Sequence, residues 1–347
     1  MWHVYDSTFT LQGIISEIIQ SDIAHNFFET DELYMQIPYE EGITQVVQNG
    51  RFLVGGANNK TFRIHSLEIN EGERLVDIFA DGIETVLSSR ILMNPVELTD
   101  KAETIMRDLM NQNIINPSDV GRKIPFIELG SFQGAGDIIN GSWHGVSLEE
   151  VFEQLAKETG FGYRFRFIPK EKTITFETYV GTDRTTNQIE NEPIRWSANW
   201  GDTRDEILIA SDKSYRNVCY LQSGDDDYPI LYRVGADVGW ERFEMFSDAN
   251  DLKRNMQEEG NPTLTTAQVQ KLLDNRGRLE LYRNSKSTLY QFILNEDVPQ
   301  KYGVDFFEGD YISVINEAYG IVKHSQITSV KERTVQDQTR FEIIFNE

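Results

Sequence analysis

A pattern near the start of this chain returns near its end. Gly50-Arg51-Phe52-Leu53 and Gly309-Asp310-Tyr311-Ile312 both place a glycine before an alternating apolar segment, and fifteen residues after each glycine stands the same dipeptide, His65-Ser66 and His324-Ser325. Two flanking matches are Leu33-Tyr34 with Leu289-Tyr290, and Val76-Asp77-Ile78-Phe79 with Glu342-Ile343-Ile344-Phe345. Because a β-strand buries alternate residues, such matches indicate two copies of one small β domain. Chance similarity between two β-hairpins is the alternative explanation.

Hydrophobic periodicity divides the chain into β, α+β and again β regions. The strands expected in the first region are Leu33–Ile37, Arg51–Val54, Thr61–Ile69 and Leu75–Phe79. We predict a mainly β protein with α+β parts and two small β-barrel domains. The predicted domains are 1–97 (first β-barrel), 98–200 (α+β), 201–235 with 281–347 (second β-barrel, with strands at 215–221 and 230–234), and 236–280 (helical insert). Two copies of the barrel per chain, in a trimer, would give the six similar units that a three-fold protein needs to meet a six-fold one.

Four helices and one hairpin are predicted: two helices and the hairpin in the α+β region, and two helices in the insert that interrupts the second β region. The clearest helix begins at Ser147, whose capping box with Glu150 precedes an apolar face, and ends at Gly160. Another runs from Thr99, with Thr99 or Asp100 as its N-cap, to about Asn113. The remaining elements are helices at 248–259 and from 265 to about 282, and a hairpin of strands 163–167 and 173–177.

Composition excludes several classes of protein. The chain of 347 residues carries 33 Lys and Arg against 56 Asp and Glu, a net charge of −23. Binding to the phosphate backbone of DNA needs clustered cations, and anionic membranes repel acidic proteins. No signal peptide or membrane-length apolar segment is visible, and the single cysteine, Cys219, makes an internal disulfide impossible. We therefore expect a buried Cys219 and a protein made and folded in a cytoplasm.

Motifs for enzymatic chemistry or cofactor binding are weak. Gly134-Ala135-Gly136 lacks the third glycine of a dinucleotide-binding loop, and Asp225 with Asp227 lacks the glycine and glutamate of a calcium loop. His144 lies near Glu149 and Glu150, but acids at a helix start are explained by the helix dipole. His65 and His324 recur in the repeat, so they are candidate functional residues. The simpler interpretation is that they are half-buried strand histidines at equivalent barrel positions. We predict no enzyme, no cofactor and no metal.

An ordered set of segments resembles one known family across nearly the whole chain. The segments are Asn116-Pro117 through Arg122-Lys123-Ile124-Pro125, Gly162-Tyr163-Arg164, Tyr179-x-Gly181-x-Asp183-Arg184 with Asn187, Lys213-Ser214-Tyr215-x-Asn217-Val218, Arg276-Gly277, and Tyr302-Gly303-Val304-Asp305-Phe306-Phe307-x-Gly309-Asp310. Together they resemble the tail hub (baseplate hub, or tail-fibre-like) family of long-tailed phages and prophages of Gram-positive bacteria. The resemblance implies two barrels in a tube-like ring, two further domains that decorate it, and three subunits beneath the six-fold tail tube.

The resemblance also implies partners and a location. The expected partners are two further copies in a homotrimer, a distal tail protein, the tail tube protein, the tape measure protein and receptor-binding or tail fibre proteins. The expected location is the tail tip or baseplate of the virion, after assembly in the host cytoplasm. DNA would pass through without specific binding, because carboxylates lining a channel repel phosphates; residues 1–97 hold fifteen acids and five Lys or Arg.

The subunit interface is predicted at the repeat strands, for instance at Leu53 and Ile312. The last predicted strand reaches Phe345, so we expect no C-terminal enzyme domain, and host recognition or wall digestion would come from other subunits. The alternatives are a tail-associated cell-wall glycan hydrolase and a carbohydrate-binding receptor module.

Overall fold

A computed structural model describes residues 1–56, 60–225, 229–254, 263–318, 320–336 and 338–346. The first β unit comprises β1 (Trp2–Tyr5), β2 (Leu11–Ile15), β3 (Gln20–Asn26), β4 (Glu32–Pro38), α1 (Ile43–Val46), β5 (Phe52–Gly55), β6 (Lys60–Asn70) and β7 (Leu75–Gly82). The α+β unit comprises β8 (Val96–Lys101), α2 (Ala102–Met110), β9 (Ile127–Leu129), β10 (Ile138–Trp143), α3 (Leu148–Thr159), β11 (Gly162–Ile168) and β12 (Thr173–Tyr179).

The rest of the chain forms a second β unit that is interrupted by an insert. The second β unit comprises β13 (Arg195–Ser197), β14 (Thr203–Ser211), β18 (Ser287–Leu294), β19 (Tyr311–Asn316), β20 (Ile321–Gln326), β21 (Ser329–Val335) and β22 (Gln338–Asn346). The insert comprises β15 (Val218–Ser223), β16 (Leu231–Val234), β17 (Glu244–Ala249) and α4 (Thr266–Arg283). The prediction of a mainly β protein with α+β parts is confirmed.

One sheet runs through both β units. Its eleven strands follow the order β14-β18-β22-β21-β3-β4-β7-β6-β5-β1-β2, and the units meet where β21 pairs antiparallel with β3. At this junction Val330 lies opposite His25 and Glu332 lies opposite Ile23. Among the described residues the strand ladders do not close this sheet on itself, so no closed barrel is detected, and a barrel form of each β unit stays a prediction.

Alternation along the strands builds a separate core in each β unit. In β4, Leu33, Met35 and Ile37 are buried, and the residues between them lie on the open face of the sheet. The second core centres on Trp196, whose ring meets Phe306 edge-on at 4.9 Å between ring centres. Each such fully buried large side chain stabilises the fold by roughly 1.5–3 kcal/mol.

The α+β unit packs α2 and α3 into one core with the sheet β11-β12-β9. The predicted capping box is confirmed: the Ser147 hydroxyl accepts from the Glu150 amide at 3.1 Å, and Gly160 ends α3 with a left-handed φ of 75°. The start predicted for the preceding helix is wrong. Thr99 and Asp100 lie in β8, where their backbones pair with β10, so α2 begins only at Ala102.

The insert packs its three strands, in the order β16-β15-β17, against α4. Gly277 permits this contact, because a Cβ there would lie 2.5 Å from Val234 Cγ2. The predicted helix from Thr265 is confirmed, with Thr265 as its N-cap. The helix predicted from Asp248 is wrong at its start, since Asp248 lies in β17, and residues 255–259 fall outside the described residues.

The pairing in the insert also differs from the predicted domain grouping. The strands at 218–223 and 231–234, which the sequence grouping placed with the second barrel, pair with each other and with β17. We therefore propose that the insert extends from about residue 215 to 284 and that the second β unit already includes residues 194–197, while 1–97 stays as predicted.

Equivalent hydrogen bonds show the internal repeat in three dimensions. The amide of Gly50 donates to the Ile64 carbonyl at 2.7 Å, and the amide of Gly309 donates to the Ile327 carbonyl at 2.7 Å. The return bonds, from the Ile64 amide to the Arg51 carbonyl and from the Ile327 amide to the Asp310 carbonyl, measure 2.8 and 2.9 Å. Both glycines have positive φ, 81° and 93°.

The strand ladders extend this equivalence to whole strands. Leu33 pairs with Ala80 and Met35 with Ile78 in the first β unit, as Tyr290 pairs with Phe345 and Phe292 with Ile343 in the second. All of these side chains are buried in their own cores. The equivalent strands are therefore β3 and β14, β4 and β18, β5 and β19, β7 and β22, and β6 with the pair β20 and β21.

Three details of the sequence match differ from the pairing in the strand ladders. The match of 76–79 with 342–345 is displaced by one residue, because Ile78 corresponds to Ile343 in the ladders. His65 and His324 are not equivalent, because Ile64 follows its glycine by 14 residues whereas Ile327 follows its glycine by 18. The Leu-Tyr match is displaced by one residue, since Tyr34 lies on the open face of the sheet and Tyr290 is buried in the core. A shift of one residue along a strand exchanges its two faces.

Candidate functional site

A buried group of charges joins the two β units where they also meet the α+β unit. Lys60 Nζ lies 2.6 Å from Asp31 Oδ2 and 3.0 Å from Glu308 Oε1, so that one cation bridges a carboxylate of each β unit. The Tyr302 hydroxyl donates to Glu308 Oε2 at 2.6 Å. Both carboxylates are only 8% exposed. We call Asp31, Lys60, Tyr302 and Glu308 the junction cluster.

The electrostatics of the junction cluster follow from burial opposed by opposite charges. Burial acts to lower the pKa of Lys60, but the charges of Asp31 and Glu308 outweigh it and raise that pKa above its usual value. Burial acts to raise the pKa of Glu308, yet Lys60 and His25 hold it below its usual value. Lys60 and Glu308 therefore stay ionised at neutral pH, and the ion pair between them joins the two β units.

Glu84, beside this cluster, behaves in the opposite way. Burial and the charge of Asp31 raise its pKa to about 7, although its Oε1 accepts from the Phe165 amide at 3.2 Å. Burial likewise raises the pKa of Glu153 on α3 to about 7, with Glu29 and Glu149 adding like charge. Each of these carboxyl groups thus binds a proton more readily in the folded chain than in the unfolded one.

The free energy of unfolding should therefore rise when the pH falls from about 8 to about 5.5. A raised folded-state pKa contributes stability that is lost as pH rises through the window from 4.5 to about 7. We expect a gain of about 1–3 kcal/mol, mostly from the buried Glu84, because Glu153 is partly screened by solvent. Urea titrations at both pH values measure it. Glu84→Gln, which keeps the acceptor for Phe165, should flatten this dependence, and an unchanged slope in that variant contradicts the assignment.

The open face of the continuous sheet carries a cavity of about 950 Å³ across the β3·β21 junction. Its acidic side chains lie mainly on the first β unit and its basic ones on the second, and the charged residues that line it are Asp22, Glu32, Asp81, Lys331, Glu332, Arg333, Arg340 and Glu342. Arg333 Nε lies 3.4 Å from Asp22 Oδ1 across the junction. The face is therefore mixed in charge, not uniformly acidic.

The structure places the two predicted interface residues in the interior. Leu53 lies on β5 between β1 and β6, and Ile312 lies on β19 between β13 and β20. Both side chains have 0% exposure and pack in the cores of their own units. An interface role for these strands stays a prediction, but the side chains themselves do not present a surface.

The other residues singled out from the sequence have structural partners. Cys219 is buried in the insert, Glu150 caps α3, and His144 Nδ1 lies 3.8 Å from Asp251 Oδ2. Asp225 pairs with Arg254 at 3.3 Å, while Asp227 lies outside the described residues. Within the described ranges, no group of three or more His, Cys, Asp or Glu side chains is arranged to hold a metal ion. Nor is any helix there long and apolar enough to cross a membrane.

Comparison with known proteins places this geometry in context. The tail protein from Neisseria meningitidis MC58 matches with 12% identity and a TM-score of 0.53, covering 100% of this chain and 96% of that one. The 43 kDa tail protein of prophage MuSo2 from Shewanella oneidensis matches with 11% identity and a TM-score of 0.55, covering 96% of this chain and 95% of that one. Prophage tail protein gp18 from Listeria monocytogenes EGD-e matches with 14% identity and a TM-score of 0.50, covering 100% of this chain and 94% of that one. No curated protein matches in sequence.

These likenesses show a shared fold, which is that of phage and prophage tail proteins. The sequence profile of the Siphovirus ReqiPepy6 Gp37-like proteins matches residues 1–345, which is nearly the whole length. The chain therefore belongs to the Siphovirus ReqiPepy6 Gp37-like protein family.

Proposed function

We propose that this protein is the structural hub of a phage tail tip or baseplate. The observation that carries the proposal is the internal repeat: two β units with equivalent ladders, joined edge to edge in one sheet through β3 and β21. Three copies would then present six similar β units, which lets a three-fold ring close the end of a six-fold tail tube. Membership of a siphovirus family and the fold of tail proteins support a place in the virion tail.

A ring of this kind would serve as a conduit for DNA. We propose that the open face of the continuous sheet lines the channel. Its acidic residues would then be Asp22, Glu32, Glu68, Asp77, Asp81 and Glu342, and its basic residues Arg63, Arg204, Lys331, Arg333 and Arg340. The excess of acids is small, and neighbouring opposite charges partly neutralise each other. Such a lining offers phosphates no cationic track, so DNA would pass without specific binding.

The hub would also hold other tail components. The proposed partners are the tail tube and distal tail proteins above, the tape measure protein, and receptor-binding, fibre or wall-degrading parts below. We propose no enzymatic activity for the chain itself, in keeping with the partners found for His144, Glu150 and Asp225. A Gram-positive host is part of the proposal and rests on the sequence resemblance.

Native mass measurement tests the hub directly. We expect light scattering to give three times 40.0 kDa, and electron images of that species to show six similar lobes around an open channel. The physical reason is that a head-to-tail contact between the β units closes only when the sixth unit meets the first. A monomer at every attainable concentration, or a two-fold dimer, contradicts the proposed ring. Clearing of cell walls in a zymogram, lost on substitution of one carboxylate, would instead support the glycan hydrolase alternative.

A further inference from the structure

Among the strand edges that lack a backbone partner within the described parts of this chain are one edge of β14 and part of one edge of β6. β14 pairs with β18 on one side only. The C-terminal half of β6, from Ser66 to Asn70, pairs with β7 only, because β5 pairs with the residues up to Arg63. Unpaired edges expose rows of backbone N–H and C=O groups, and proteins normally cover them or pair them.

The internal repeat says what these two edges are equivalent to. β14 corresponds to β3: Leu208 opposite the core residue Tyr290 matches Ile23 opposite the core residue Leu33. The second half of β6 corresponds to β21: Leu67 opposite Ile78 matches Val330 opposite Ile343. In the middle of the chain's own sheet, β3 and β21 pair with each other.

We infer that β14 of one copy pairs antiparallel with residues 66–70 of β6 in the next copy, in the register of the β3·β21 junction. The β3·β21 junction is the template for this contact. In it Glu332 lies opposite Ile23, and the equivalent residues are Ile69 of one copy and Leu208 of the next. It also has Val330 opposite His25, which translates to Leu67 opposite Ala210. This inference rests on the proposed homotrimer and specifies its contact.

Side-chain chemistry at the two edges fits this pairing. Leu208 and Ile69 are 41% and 45% exposed, although both lie on the core-facing side of their strands. Ile23, the residue of β3 that is equivalent to Leu208, is only 3% exposed, because β21 pairs with β3 beside it. On β14, the neighbours Ile207 and Ile209 are also 44% and 49% exposed, so one edge strand presents three consecutive apolar residues. Such an edge is an aggregation site unless assembly covers it.

The inferred contact differs from its template in charge. At β3·β21 the pairs His25–Glu332 and Asp22–Arg333 cross the junction at 3.2 and 3.4 Å. At the inferred contact the corresponding residues are Ala210 with Ile69, and Ile207 with Asn70, which carry no charge. The contact between copies would therefore be held by apolar burial and backbone hydrogen bonds, and salt should weaken it little.

Disulfide trapping tests the register. Directly opposed residues of antiparallel strands have Cα atoms about 4.5–5.5 Å apart, which a disulfide spans. In a Cys219→Ala background, oxidised Ile69→Cys/Leu208→Cys should run as a covalent trimer that a reductant returns to monomer. Each single variant should stay uncrosslinked, and so should Leu11→Cys/Leu208→Cys, which probes the other free end of the sheet at β2.

Charge exchange gives a second readout that does not depend on oxidation. Ile69→Glu and Leu208→Lys should each weaken association by more than about tenfold, because each buries an unpaired charge. The double variant places Glu opposite Lys at every contact and should recover the trimer. A trimer that forms no disulfide between positions 69 and 208, or that forms one through position 11, overturns this strand pairing but does not contradict the proposed hub function. A chain that stays monomeric contradicts both.

Discussion

Replacing Gly309 with alanine should destabilise the second β unit by about 3–4 kcal/mol, whereas the same change at Gly50 should cost only about 1–2 kcal/mol. Both glycines have a left-handed φ, so each alanine suffers the same backbone strain. The surroundings differ. A Cβ on Gly309 would lie 2.2 Å from Cε2 of Phe27, but on Gly50 the nearest atom would be Arg63 Nη2 at 3.6 Å.

Phe27 cannot move aside cheaply, which is why the overlap at Gly309 is costly. Its ring is 1% exposed and packs edge-on against Phe28 and Tyr179, with ring centres 4.7 and 5.2 Å away. Urea unfolding of the two variants, followed by tryptophan fluorescence, measures the difference, with Gly50→Ala as the matched control for backbone strain. Equal losses in the two variants would mean that Phe27 yields and that the tight packing between the β units is not rigid.

Local signals in the sequence were sufficient for elements whose ends are set by their own residues. The helix from Ser147 to Gly160 is an example, because its capping box and its glycine end lie within the segment. Thr99 and Asp100 show the limit. Their types suit an N-cap, but pairing with β10, some forty residues away, takes their backbone into a strand.

The repeat was visible in the sequence, but its register was not. The glycines of the repeat are equivalent because each must adopt a positive φ before the strand begins. The His-Ser dipeptides are not equivalent, since the second hairpin is longer and no local signal fixes hairpin length. Only the burial of Leu33 and Tyr290 on the same face shows the true alignment of the flanking strands.

The sequence analysis identified neither the junction cluster nor the free strand edges. Asp31, Lys60 and Glu308 come from distant parts of the chain, and in a sequence with 56 acids a carboxylate attracts no notice. Ile207, Leu208 and Ile209 were a usable signal: three consecutive apolar residues fit a strand that is covered on both faces. In the isolated chain these faces are exposed, which is why the sequence pattern points beyond a single copy.

Lys60→Met should lower the free energy of unfolding by about 3–5 kcal/mol at pH 7, because it leaves Asp31 and Glu308 buried without their cation. Met keeps most of the side-chain volume, so the effect reports charge and not a cavity. Lys157→Met is the matched control: Lys157 lies 2.6 Å from Glu29, but this carboxylate is 54% exposed, and such pairs contribute about 1 kcal/mol or less.

The pH dependence and a neutral triple variant separate this explanation from simple misfolding. Without Lys60, the Glu308 carboxyl group loses the charge that lowers its pKa, and burial then raises that pKa, so the loss of stability should shrink as the pH falls from about 7 to about 5. Lys60→Met with Asp31→Asn and Glu308→Gln removes all three charges, and Tyr302 can still donate to the amide oxygen at position 308. This triple variant should recover at least half of the lost stability, since an isosteric neutral set avoids the cost of buried unpaired charge. A triple variant as unstable as Lys60→Met, at both pH values, would show that position 60 acts through packing and that charge does not join the two β units.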